Sequence, residues 1–344
     1  MKATFLYGAG DVRVEEVAQA KIEKPTDAVI RTVVACVCGS DLWDYYAKQP
    51  AETGVPKGHE VLGEIVELGA EVKNHKIGDL VVIPFVASCG FCDFCQANRQ
   101  TSCRNIEYFG HGGGAACQAE FVRIPWADGT AVPVPVDANS PLIPSMLTLS
   151  DVLCTGYHAA VSAGVQQGET VVVIGDGAVG LSAVIGAKKL GAERIILVSS
   201  HEPRANLGRE FGATDIVSER GEEGIARIME LTNGDGAPRV LEAVGKQDAI
   251  DMSIAVTRDY GFIGRVGAAQ YENMPLNFGT IMRNIGVCGG VAPARAYIKP
   301  LMQDILDGKI NPGKVFDLTV SIDDIARGYK AMADRVAIKT LVTF

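Results

Sequence analysis

The sequence predicts an α/β chain in which a doubly wound parallel sheet is inserted before a C-terminal return to a β-rich domain. Three observations carry this. A strand–glycine–helix stretch sits mid-chain, at Thr170–Leu190. Short β-branched runs fill residues 1 to about 150. Strands and helices then alternate until residue 296. The 344 residues are enough for two domains.

Taken in order, the first strands are Lys2–Tyr7, Val12–Val17, Ala28–Cys36, Val61–Leu68 and Leu80–Phe85, each bounded by Gly, Pro or Asp. Residues 125–144 are Pro-rich and read as a surface crossing toward the second domain. After the glycine stretch, strands are expected at Arg194–Ser199, Asp215–Val217, Arg239–Val244, Tyr260–Val266 and Ile285–Gly290. Helices at Pro203–Phe211, Glu222–Leu231 and Gln247–Thr257 alternate with them. The acidic run Glu219–Glu223 reads as a solvated loop entering a helix. The tail closes with a strand at Lys339–Thr343 that returns to the first sheet. The expected division is 1–153 plus 297–344 for the β-rich domain and 154–296 for the inserted one, with a cysteine lobe at 89–103.

The net charge of −9 excludes the basic face that nucleic acid needs. No apolar stretch is long enough to span a membrane. No basic-then-apolar leader opens the chain, so a cytoplasmic location is expected. Four of the nine cysteines fall between 89 and 103. In such a compartment that spacing means metal before disulfides.

Within Thr170–Leu190, an apolar run at Val171–Ile174 precedes Gly175, Gly177 and Gly180 in GxGxxG spacing, and Ala178 and Val179 open a helix. Gly175 suits a tight turn, Gly177 close approach of a pyrophosphate, and Gly180 helix-on-strand packing. The helix N-terminus offers free N–H groups to phosphate. An ordinary βα unit with glycines at its turn is the alternative. Cys89, Cys92, Cys95 and Cys103 supply four soft thiolates within fifteen residues, with Gly90 at a turn. Four such ligands close a tetrahedral zinc site with no open position, which makes it structural. An iron–sulfur cluster and metal-free thiols are the rivals; the fourth spacing is longer than in a ferredoxin run and no Pro follows it.

These two motifs, with Cys38-Gly39-Ser40-Asp41 and Gly58-His59-Glu60, resemble the zinc-containing medium-chain alcohol dehydrogenase family over the whole chain and in the family's order. The resemblance implies a GroES-like catalytic domain, a Rossmann dinucleotide domain, and a second, catalytic zinc. It also implies a homo-oligomer, tetramer favoured over dimer, acting on a small alcohol, ketone or aldehyde. Cys38 and His59 fall on the first two ligand positions. The third falls in Ser150–His158, where Asp151 stands in place of the common cysteine, and Cys154 is the rival. Three protein ligands leave a fourth position for water or substrate, as is known for this family's zinc. By the same resemblance Asp41 orients the ligand histidine, and Ser40 carries the alcohol proton. Thr155 packs on the nicotinamide, and Gly290 and Val266 contact it. Glu60 is either a transient ligand or a buried ion pair with Lys339. Many relatives place a relay histidine where this chain has Trp43, so the proton route must use cofactor ribose and water; core packing is the alternative for Trp43. Tyr108 and Phe109 are further pocket candidates. Hydride then passes directly between the alcohol carbon and C4 of the nicotinamide.

The cofactor follows from the end of the second strand of the inserted sheet. NAD-binding chains place an acid there for the ribose hydroxyls. Here the strand end is Ser199, followed by Ser200, His201 and Arg204, all able to bond a 2′-phosphate. This favours NADP; Glu202 turned inward would favour NAD. The rival function is a polyol or amino-alcohol dehydrogenase using NAD, and beyond it a non-catalytic dinucleotide-binding protein of the same fold. Cys36, Cys117 and Cys288 read as buried small hydrophobes, and His75 and His111 as surface or loop residues. His158 reads as a helix-face residue. Gly289-Gly290-Val291 reads equally as a tight bend.

Overall fold

A computed structural model describes residues 1–47, 49–110 and 116–344; His111 lies outside the described residues. The chain divides into two units, Met1–Asp151 with Pro293–Phe344, and Val152–Ala292. Val152 and Leu153 go with the second unit because a helix, Val152–Ser162, begins there. Pro293–Ala296 go with the first, because Arg295, on the helix Ala294–Leu306, donates Nη2 to Asp128 O at 3.2 Å.

The first unit is built on the ten-residue strand Ala28–Val37, buried along nearly all its length. Continuous β-branched sequence suits a strand covered on both faces. Val61–Leu68 pairs antiparallel on one side, with Ala35 opposite Val61. Lys339–Thr343 pairs antiparallel on the other, with Thr340 opposite Val37 and Leu341 opposite Cys36. The C-terminal strand therefore does return to the first sheet. Leu80–Ile83 pairs with Val61–Leu68, Ile83 opposite Val61. These registers place three chain segments at one end of a seven-stranded sheet: Cys38 just past its strand, His59 and Glu60 just before theirs, and Lys339 at the start of its own. The Pro-rich segment is not a surface crossing in its first half. Ala127, Thr130 and Ala131 are buried, and Ala127 and Ala131 belong to the core of this unit.

In the second unit, six strands pair in parallel: Thr170–Ile174, Arg194–Val198, Asp215–Val217, Ala237–Glu242, Thr257–Arg265 and Gly286–Gly289. Numbered in that order, they lie 3-2-1-4-5-6 across the sheet. The order reverses beside the first strand, and that switch point is where open α/β sheets bind ligands. Helices between the strands include Ala178–Lys189, Glu202–Phe211, Gly221–Leu231 and Gln247–Val256. Cys36 and Cys117 are buried as expected, but Cys288 is exposed. It lies on the sixth strand, at the sheet edge, where a neighbour covers only one side.

Candidate metal centres and phosphate loop

Among the described residues, Cys38, His59, Glu60 and Asp151 bring one donor atom each to within 4.8 Å of one another. His59 Nε2 lies 3.4 Å from Asp151 Oδ2, and Cys38 Sγ lies 3.9 Å from the same oxygen. Tetrahedral zinc with bonds of about 2.0–2.3 Å sets N, O and S donors roughly 3.4–3.8 Å apart. The donor set fits such an ion. Asp151 lies just before the helix Val152–Ser162, not on it. Its φ of −147° and ψ of −76° end a short turn, Thr148–Ser150, that Ser150 O ties to Phe85 N at 3.0 Å. Cys154 lies further on, buried within the helix of the second unit.

The surroundings of the donors are charged and buried. Burial opposes a proton on His59, yet the Cys38 sulfur and the Asp151 and Asp41 carboxylates outweigh it. They hold the metal-free ring well above the usual histidine range. A buried divalent cation would balance that negative charge and displace the proton. Behind the ring, Asp41 Oδ1 sits 3.7 Å from His59 Nδ1. Asp41 Oδ2 accepts from Cys38 N at 2.9 Å and from Gln118 Nε2 at 3.2 Å. Gln118 Oε1 in turn accepts from the Tyr329 hydroxyl at 2.9 Å. Sequence reasoning missed Gln118, which no motif marks.

Glu60 forms the buried ion pair with Lys339, one of its two expected roles. Its Oε1 is 2.7 Å from Lys339 Nζ, with both side chains 1% exposed, and 3.9 Å from His59 Nε2. Its Oε2 is buried without a hydrogen-bond partner among the described residues. Ser40 is half-buried in the turn Gly39–Asp41. Trp43 is 43% exposed, so it is not core packing. Tyr108 is exposed and Phe109 lies in the core of the first unit. Thr155 is half-buried on Val152–Ser162, and His158 on the same helix is held below the usual range by burial.

The cysteine lobe brings four sulfurs together. Cys89–Cys103 is 3.5 Å, Cys92–Cys103 3.8 Å and Cys89–Cys95 4.0 Å. Tetrahedral zinc–sulfur bonds of about 2.3 Å require sulfurs roughly 3.8 Å apart. The backbone N–H groups of Cys89 and Asn105 each point at Cys103 Sγ from 3.3 Å. Those of Arg104 and Cys95 bring the Cys92 thiol down to about 6. Such N–H donors favour thiolates, the form that binds metal. The cluster fits a structural zinc.

In the second unit the three loop glycines do three jobs. Gly175 has φ +118°. A side chain on Gly180 would fall 1.9 Å from Gly175 O. A side chain on Gly177 would meet nothing within 4 Å, which leaves the approach to Ala178, Val179 and their helix start open. Val266 N bonds Glu242 O at 2.9 Å at the carboxyl ends of the fourth and fifth strands. Gly289 and Gly290 both take positive φ, so the tight bend is present. At the second strand's end Ser199 Oγ lies 3.0 Å from Asp176 Oδ2, and His201 Nδ1 3.2 Å from the same oxygen. Arg204 is buried, with Nη1 3.4 Å from Asp176 Oδ1. Ser200 and Glu202 are exposed, and Glu202 pairs with Arg209 at 3.3 Å. Asp176 was missed, although an acid between two loop glycines was there to be seen.

Residues 24–136 match the family model of the alcohol dehydrogenase GroES-like domain, and residues 178–307 that of zinc-binding dehydrogenases. Zinc-type alcohol dehydrogenase B of Aspergillus flavus is 34% identical, over 96% of this chain and 78% of that one. An uncharacterized zinc-type alcohol dehydrogenase-like protein of Bacillus subtilis is 31% identical over 96% of each chain. The solved alcohol dehydrogenase of Thermus sp. ATN1 aligns with a TM-score of 0.91 at 28% identity, covering 100% of this chain and 99% of that one.

Proposed function

The chain belongs to the zinc-containing medium-chain alcohol dehydrogenase family, a class of oxidoreductases, and from that footing we propose that it moves hydride between a small alcohol and NADP. The observation that carries the proposal is the Cys38–His59–Asp151 donor set at zinc spacing, with Asp41 behind the imidazole. When bound, zinc supplies Lewis acidity to an alcohol oxygen and the nicotinamide supplies the hydride acceptor.

The chain's own residues do the rest. Cys38, His59 and Asp151 would hold the ion, and three protein ligands would leave one position for substrate. Asp41 keeps the His59 ring turned toward the ion by facing its other nitrogen. Lys339 holds Glu60 beside the donors, so a fourth acidic oxygen is available there. Ser40, two residues from Cys38 and half-buried, accepts the alcohol proton and passes it outward. The indole of Trp43 has no acceptor nitrogen, so that side chain cannot take the proton on from Ser40. Gly175, Gly177, Ala178, Val179 and Gly180 cradle the pyrophosphate at the helix start. Ser199 in place of a strand-end acid supports NADP.

A screen of alcohols and ketones with each cofactor, beside a zinc count per chain, tests the proposal. Turnover with NADP and two zinc ions per chain is expected. Turnover that persists after complete zinc removal, or runs only with NAD, would contradict it.

A further inference from the structure

We infer that Arg220, not Arg204, reads the 2′-phosphate of the dinucleotide, and that Asp176 withdraws Arg204 from that task; the inference rests on the NADP reading above. A 2′-phosphate lies beyond the end of the second strand. Arg204 is close to that strand end in sequence but is 8% exposed, and its guanidinium faces the Asp176 carboxylate. The same carboxylate engages Ser199 and His201. Freeing Arg204 for a ligand would strand a buried carboxylate, which is costly. Asp176 thus cancels the positive charge that the sequence appeared to offer.

Arg220 arrives from the neighbouring strand. The third strand, Asp215–Val217, pairs in parallel with the second, Val198 opposite Val217, and Ser199 N bonds Val217 O at 2.9 Å. The chain leaving that strand carries Arg220 to the position just before the helix Gly221–Leu231. There its Nε and Nη2 lie 3.2 Å and 2.6 Å from Ser200 Oγ. Arg220 is exposed, and the two donors of one edge of its guanidinium converge on one exposed hydroxyl. Two parallel N–H groups of arginine match the oxygens of a phosphate. Glu202, the acid nearest Ser200 in sequence, is turned to Arg209, and Glu219, beside Arg220, accepts from Ser218 Oγ at 3.3 Å. Ser200 and Arg220 together form the phosphate-reading pair, with the His201 ring at the edge of the site, 3.5 Å from Ser200 Oγ.

Calorimetric titration of the zinc-loaded enzyme with 2′,5′-ADP and with 5′-AMP tests this without turnover. Arg220→Gln is on the surface and is expected to fold. It should weaken 2′,5′-ADP by about tenfold or more, the loss of charge-assisted hydrogen bonds, and leave 5′-AMP unchanged. Arg204→Gln should weaken both fragments alike, through the glycine loop. Unchanged 2′,5′-ADP affinity in Arg220→Gln would overturn the inference, and a selective loss in Arg204→Gln would return the phosphate to that residue. Equal affinity of the unaltered enzyme for both fragments would instead overturn the NADP reading on which this rests.

Discussion

Asp41 is buried behind His59, with one oxygen toward Nδ1 and the other accepting from Cys38 N and Gln118. It touches two of the proposed ligand residues without being one. Asp41→Asn should therefore lower zinc affinity by roughly 10–100-fold in a chelator competition while the fold is kept. An unchanged affinity would mean that the ring needs no such support. The Lys339–Glu60 pair makes a stability prediction. Both groups are almost fully buried, so Lys339→Met leaves an uncompensated carboxylate. Urea unfolding should show a loss of about 3–5 kcal/mol. A loss below about 1 kcal/mol would show that water reaches Glu60. At this scale the sequence was informative where chemistry is tied to spacing: Cys38, His59 and the four lobe cysteines gather as their motifs suggested. It was silent where chemistry depends on distant partners. Gln118 reaches Asp41 across 77 residues and Arg220 reaches Ser200 across 20, and no local pattern encodes either contact.

The second and third strands of the parallel sheet are fastened by Arg194 and Asp215, whose Nε–Oδ2 and Nη2–Oδ1 distances are 2.9 Å and 2.8 Å. The Arg194 hydrogen bond, only partly opposed by burial, lowers the Asp215 carboxyl below the usual range. A carboxylate lowered on folding adds stability above the ordinary aspartate value of about 3.9 and loses it as pH falls toward the folded value. Asp215→Asn should then cost about 1 kcal/mol at pH 7, read as a Tm drop of roughly 2–4 °C. The difference from the parent should shrink as pH falls below about 4. A pH-independent difference would assign the effect to packing rather than charge. The strand Asp215–Val217 and the final strand Lys339–Thr343 were legible to the residue, since their β-branched runs have sharp polar ends. The fifth strand starts at Thr257, earlier than its apolar run suggests, because Ala237 pairs with Thr257 across a register shift. The Pro-rich segment misled for a related reason: its small residues, Ala127 and Ala131, fill the core that its prolines seemed to exclude.

Across the whole molecule, the two units divide the labour by chemistry. The first gathers two sets of residues able to hold a metal, Cys38, His59, Glu60 and Asp151 in one and four cysteines in the other. The second presents a glycine loop at the switch point of a 3-2-1-4-5-6 sheet. That architecture was legible because each half has its own periodicity: β-branched runs with turns in one, alternating strands and helices in the other. The unit boundaries were legible only to within a few residues, since the helix Val152–Ser162 begins two residues before the expected start of the inserted domain. None of the helices is long and apolar enough to cross a membrane among the described residues. The central claim is that Cys38, His59 and Asp151 hold a zinc ion that the reaction needs, distinct from the one in the cysteine lobe. Its most direct test is zinc per chain, measured by elemental analysis together with NADP-linked alcohol oxidation, in Cys38→Ser beside the unaltered protein. The account predicts a fall from two zinc ions to one, near-complete loss of activity, and an unchanged circular dichroism spectrum. Two zinc ions retained with full activity would contradict it.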